Sequence, residues 1–243
     1  LSKTENSLLN KIIIVHIKRM FFIFNKKSLD EISSYEIVAF ILSKLLYGEF
    51  NESFLLKIEK IIEAQVDGAG MHKSYNVLEQ AKFINNLNEL KNILLFFKII
   101  IPEKFNFFIL NMTSALNQYI HDDGSIALFN GSNNNYQDQI INLIQKEEFL
   151  KSRKFSSNNG IAFYSDKKRK LFFDVVQPNR LKLSESLGAG TLSFELSAKE
   201  EKIITNCGGS ESFGKNPEYL RYSAAHSTII LKNTNISEIT VGN

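Results

Sequence analysis

Along the first 150 residues the apolar side chains return every three or four positions. In the segment Asn51 to Gln65, Phe54, Leu55, Ile58, Ile61 and Ile62 fall on one face and Glu52, Lys57, Glu59, Lys60 and Glu63 on the other. That stripe predicts an amphipathic helix with one side turned to a core. The spacing recurs through Val77, Leu78, Ala81, Ile84, Leu87, Leu90 and Leu94, and again from Tyr35 to Tyr47. Pro102 is placed to open a further helix as a first-turn proline, ahead of Phe105, Phe108, Ile109 and Met112. The run Ile12 to Phe24 is broken by His16, Lys18 and Arg19. A membrane-spanning helix needs about 20 predominantly apolar residues, so this run predicts a core helix instead, with His16 in a structural place beside Arg19.

After Lys151 the period changes from helical to strand-like. Asn159 to Tyr164, Lys170 to Val176, Thr191 to Leu196, Lys202 to Asn206 and Ser227 to Leu231 are short and rich in aromatic and β-branched residues, with Gly, Asn, Ser and Lys turns between them. Asp166 to Arg169 reads as the turn of a β-hairpin. The chain is therefore expected to be a multidomain α+β protein, with an α-helical domain over 1–150 and an antiparallel β-sandwich domain over 151–243. The boundary falls in the polar stretch 147–158, and helix pairs wound into a toroid are one packing for the first domain. Five strands are too few to close a sandwich, which predicts a truncated one.

Composition narrows the choice of partners. With 243 residues, 44% of them hydrophobic and 23% charged, the chain has enough apolar surface for a substantial core. A net charge of +3, spread along the chain, gives no basic field of the kind that holds nucleic acid. The single cysteine, Cys207, rules out an intrachain disulfide and a cysteine-based zinc cluster, and its place after a strand predicts a small buried apolar role. The sequence starts at Leu1 rather than Met, which is expected of a fragment and leaves room for an upstream signal peptide.

Three segments occur in an order that resembles the heparinase II/III family. The first is Asp67-Gly-Ala-Gly-Met-His-Lys-Ser74 ahead of a helix, similar to the family's Asp-Gly-Gly loop beside the active-site cleft. The second is His121-Asp-Asp-Gly-Ser-Ile-Ala-Leu-Phe-Asn-Gly131, similar to the turn that closes the helical domain. The third joins Thr191-Leu-Ser-Phe-Glu-Leu196, Ile204-Thr-Asn-Cys-Gly208 and Arg221-Tyr-Ser-Ala-Ala-His-Ser-Thr228. The resemblance implies an α/α toroid and a β-sandwich, and a polysaccharide lyase of the bacterial cell envelope or periplasm that cleaves uronic-acid-containing glycans by β-elimination. Such chemistry needs a base for the C5 proton, an acid for the leaving oxygen, and cationic or hydrogen-bonding groups at the carboxylate. The alternative implied is a catalytically impaired member that binds glycan or serves a structural role.

The resemblance also implies where to look. His72, Tyr75 and His226 are the candidate proton-transfer groups, and Lys73, Asn206 and Arg221 the candidate substrate-binding groups. Against each stands a plainer reading: an exposed loop histidine for His72, a packing role for Tyr75, a hydrogen-bonded sandwich histidine for His226, a solvated charge for Lys73. The family's usual tyrosine position falls on Val77. Many members hold zinc with two His and one Asp, and often carry Gly-His-x-His-x-Asp before Leu-Ser-Phe. This chain has Glu185-Ser-Leu-Gly-Ala-Gly190 there, so Ser186 and Gly188 replace the histidines and Asn206 the aspartate. No metal site is expected, zinc being only a possibility of the family. His121 with Asp122 and Asp123 has the look of a metal or acid-base cluster, but Asp-Asp-Gly is also ordinary turn chemistry.

Overall fold

The computed structural model describes residues 3–145, 155–156, 160–177, 188–209 and 217–239. It contains helices α1 (Lys3–Lys26), α2 (Ser34–Leu46), α3 (Ser53–Gln65), α4 (Val77–Phe96), α5 (Glu103–Gln118) and α6 (Gln137–Gln145), followed by strands β1 (Phe155–Ser156), β2 (Ile161–Ser165), β3 (Arg169–Asp174), β4 (Phe194–Ala198) and β5 (Glu201–Ile204). The chain gathers into two compact units, Leu1–Gln65 with Asn86–Phe105, and Val66–Asn85 with Asn106–Asn243. This division runs through α4 and α5, whereas the polar stretch 147–158 expected to separate the domains lies largely outside the described residues.

The first unit is helical. Ser33 caps α2 through a capping box: its hydroxyl accepts from the Glu36 N–H while the Glu36 carboxylate accepts from the Ser33 N–H. Phe24 stacks on Phe40 with ring centroids 4.1 Å apart, and Ile37, Ile41, Ile58, Ile61, Ile62, Leu90 and Leu94 are buried. The expected core helix over Ile12 to Phe24 forms but is not a core helix. Ile12, Ile13, Ile14, Val15, Phe22 and Ile23 are exposed, and His16 with them. Consecutive apolar residues are spread by the 3.6-residue period around the whole helix, so a single packed face covers only some of them.

The second unit carries an antiparallel meander in the order β1-β2-β3-β4-β5. Phe163 pairs with Phe172, and Phe172 with Glu195. At the β2–β3 turn the Asp166 carboxylate accepts from the Lys168 and Arg169 N–H groups at 2.8 and 2.7 Å, as the hairpin reading required. The strand expected at Ser227 to Leu231 does not form. Ser227 and Thr228 instead bond to the backbone of residues 191–194 through their side chains: Ser227 Oγ accepts from Phe194 N and donates to Phe194 O, and Thr228 Oγ1 donates to Thr191 O at 2.6 Å. Hydroxyls that compete for backbone partners divert a short segment from a ladder.

Candidate functional site

All six candidate residues lie in the second unit. His72 and Tyr75 belong to the loop before α4, which is built around Asp67. Its carboxylate accepts from the N–H groups of Ala69 and Met71, both at 2.9 Å, and its own N–H donates to Met71 O at 2.8 Å. Gly70 adopts φ +89°, and a Cβ there would come within 2.6 Å of Asn111 O, so this position needs glycine on two counts. Gln80, completely buried on α4, closes the loop: its Oε1 accepts from His72 N at 2.6 Å, and its Nε2 donates to Gly70 O and Met112 O at 2.8 and 2.9 Å.

His72 is therefore not the solvent-facing loop histidine that its sequence position suggests. It is 6% exposed, with Nδ1 2.8 Å from Ser74 Oγ and its ring against Phe83. Burial, with some help from the Lys73 charge and against that of Glu79, pushes its pKa down to about 4, so the imidazole is neutral at pH 7. Tyr75 is buried at φ +49°, its carbonyl accepting from Asn130 Nδ2 at 3.2 Å and its ring seated on the Cα of Gly160, where a Cβ would run into it. Burial and the neighbouring Asp67 carboxylate push its phenol up to about 12. Val77, at the family's tyrosine position, is fully buried, and Lys73 is part-exposed.

Arg221, Asn206 and His226 meet at a second junction. Ala189 N donates to Arg221 O at 2.6 Å, and a Cβ on Gly188 would lie 3.0 Å from that same oxygen and 2.7 Å from His226 Nε2. A Cβ on Gly190 would stand 3.0 Å from the His226 ring. The imidazole thus fills the notch left by two glycines. Burial lowers its pKa, and its Nε2 is buried without a hydrogen-bond partner. Asn206, 2% exposed, has both ends of its amide occupied: Oδ1 accepts from Ser227 N at 3.0 Å and Nδ2 donates to Glu195 Oε1 at 3.2 Å. It is a structural bridge, not the free substrate ligand that its place in the motif suggests. Cys207, expected to be buried, is exposed.

Residues 130–132 stand between the two groups. They bond Tyr75, Asn76 and Val77 through Asn130 and Ser132, and receive Gly209 N at Ser132 O. The structure thus brings Arg221, Asn206 and His226 to one junction, and holds His72, Lys73 and Tyr75 in another loop.

A third polar cluster forms at His121, with partners other than the neighbouring aspartates that the sequence offered. Asp122 to Gly124 is the turn expected, with His121 N donating to Ser125 O and Asp123 Oδ1 accepting from Ser125 N. His121 itself points inward: Nε2 lies 2.9 Å from Glu195 Oε2 and Nδ1 2.8 Å from Ser197 Oγ, the His121 and Glu195 side chains both being fully buried. Burial alone would raise the Glu195 carboxyl. The His121 and Asn206 hydrogen bonds and the Lys202 charge outweigh it and hold the group below the usual glutamate range. Along β4 and the residue before it, the polar Ser193, Glu195 and Ser197 are more deeply buried than the apolar Phe194 and Leu196 between them.

The zinc that many family members hold does not fit these residues. Gly188 offers no donor atom, Asn206 Oδ1 already accepts from Ser227 N, and His226 Nε2 is turned into the space a ligand at 188 would occupy. Ser186 lies outside the described residues.

Residues 150–242 match the family model described as Heparinase II/III-like, C-terminal. No curated protein matches the chain. Among solved structures, heparan sulfate lyase HepC from Pedobacter heparinus is similar at 16% identity and a TM-score of 0.62, over 94% of this chain and 41% of that one. A heparinase III gene product is similar at 14% identity and a TM-score of 0.67, over 93% and 41%. A further heparinase III structure is similar at 12% identity and a TM-score of 0.63, over 83% and 39%. The chain spans about two fifths of the length of these structures. At such identities the likeness establishes the fold: toroid-type helices followed by an antiparallel sheet of sandwich type.

Proposed function

We propose that this heparinase II/III-like chain engages uronic-acid-bearing polysaccharide on a lyase-type scaffold, as a glycan-binding member in which His72, Tyr75 and His226 do not carry out β-elimination. The observation that supports this reading is the confinement of all three groups. A base must reach the C5 proton and hold it at neutral pH. A buried imidazole with a pKa of about 4, a phenol at about 12 seated on Gly160, and an imidazole wedged against Gly188 and Gly190 are poorly suited to that work. Lys73 and Arg221 are part-exposed and carry the positive charge that a glycan carboxylate needs, a guanidinium being a group that can bind a carboxylate bidentately. A cell-envelope or periplasmic setting follows from the same reading. Among the described residues no helix is long and apolar enough to cross a membrane.

The deciding experiment incubates the full-length protein with alginate, heparin and chondroitin. Ultraviolet absorbance of the unsaturated uronide is followed beside affinity electrophoresis in the same glycans. Retarded migration without absorbance is expected, with retardation weakened by Arg221→Ala. Growth of the unsaturated chromophore would overturn this reading in favour of an active lyase, and unretarded migration in every glycan would overturn glycan binding.

A further inference from the structure

Five donors converge on one buried carboxylate at the centre of the second unit. Glu195 Oε2 is 2.9 Å from His121 Nε2. Glu195 Oε1 accepts from Leu128 N at 3.1 Å, Asn206 N at 3.0 Å, Asn206 Nδ2 at 3.2 Å and Thr205 Oγ1 at 3.2 Å. These donors come from the segment after α5 and from the stretch after β5. Through Asn206 the chain of bonds continues: Oδ1 receives Ser227 N, and Ser227 Oγ returns to both backbone groups of Phe194, the residue before Glu195. The circuit Glu195, Asn206, Ser227, Phe194 closes on β4. Beside it, Cys207 N donates to Ala225 O, which fixes the approach to His226.

We propose that Glu195 is the positioning residue of this junction: its carboxylate sets the orientation of the Asn206 amide and, through it, of Ser227 and His226, in the place of a bound metal ion. A divalent cation would gather donors from separate segments by coordinating their lone pairs. Here a fixed anion gathers N–H and O–H groups, the opposite polarity for the same task. The chemistry of the surroundings agrees. Asn206 presents Nδ2 to the carboxylate, which an aspartate could not do, and Gly188 leaves room for the His226 ring where a ligand would otherwise stand. Asparagine at 206 and glycine at 188 thus belong together with glutamate at 195 as one arrangement. This inference does not depend on glycan binding.

The full chain tests it by thermal unfolding, zinc content and backbone hydrogen exchange. The wild type is expected to purify without stoichiometric zinc, and its Tm to be unmoved by EDTA or by equimolar zinc chloride. Glu195→Gln, which keeps the shape but removes the charge that draws the donors together and replaces one acceptor oxygen by a donor, is expected to speed exchange at Ser227 N–H by roughly tenfold or more. Ser227 N–H does not touch Glu195, so a merely local loss would leave it protected. Asn206→Asp is expected to lower the Tm, because it sets a second carboxylate against the first, and zinc is expected not to restore it. Zinc bound one-to-one by the wild type, recovery of N206D by zinc, or unchanged Ser227 exchange in E195Q would each overturn the proposal. Should E195Q not fold, the wild-type metal and EDTA measurements and N206D decide the matter without it.

Discussion

Two buried groups titrate in opposite senses over the same pH range, and their cancellation can be undone by a single substitution. His72 has an ordinary pKa of 6.5 and a folded value of about 4, set mainly by burial. The unfolded chain therefore binds the extra proton between pH 4 and 6.5, and stability rises with pH across that window. The full difference amounts to about 3 kcal/mol. Asp174, 4% exposed, is pushed by burial from 3.8 to about 7, against the pull of its bond from Val176 N. Here the folded state holds the extra proton, so its contribution is complete below pH 3.8 and lost as pH rises toward 7, about 4 kcal/mol in all. Each slope is about 1.4 kcal/mol per pH unit where it is steepest. Between about pH 4 and 6.5 the two oppose each other. Asp174→Asn keeps the acceptor for Val176 N–H and removes the descending slope, so its stability relative to the wild type should climb with pH. His72→Asn keeps an acceptor near Ser74 and should do the reverse. Urea unfolding of the wild type and both variants at four pH values from 4 to 7, followed by circular dichroism and tyrosine fluorescence, measures the slopes. Three parallel profiles would refute the assignment of these shifts to burial.

Two further outcomes follow from single contacts. Gln80→Ala removes three hydrogen bonds at once, those to His72 N–H, Gly70 O and Met112 O, a loss of about 2–4 kcal/mol readable as a shift in the urea midpoint. Gly160→Ala places a methyl in the Tyr75 ring and should cost about 1–3 kcal/mol, whereas the double variant with Tyr75→Ala should cost less than the sum of the two single changes. Additive losses would mean that the ring and the glycine do not share the site.

The division between what the chain announces and what its packing settles runs through particular residues. The helices over Ser34–Leu46, Ser53–Gln65, Val77–Phe96 and Glu103–Gln118 and the strands β2 to β5 were legible because periodicity, a proline and turn residues act over a few positions of chain, whereas β1 falls in the stretch read as a boundary. The Asp67 loop was legible for the same reason, its Asx bonds and its glycine being local. Ser227 to Leu231 was misread because β-branched residues signal a strand only if a partner accepts the ladder, and side-chain hydroxyls reached the neighbouring backbone first.

The candidate site shows the deeper limit. The sequence by itself determined where the chain departs from the family's pattern, at Ser186, Gly188 and Asn206, since identity at a motif position needs no coordinates. It also determined that Phe194, Glu195, Leu196 and Ser197 alternate between two faces, because that period is built into an extended backbone. Which face is buried was decided only by what packs against it. His121, 74 residues away along the chain, supplies the partner that makes a buried carboxylate affordable on that face. Burial likewise turned His72 from an available base into a neutral buried side chain. Hydrophobic pattern is a property of neighbours in the chain, while protonation and hydrogen-bond satisfaction are properties of neighbours in space.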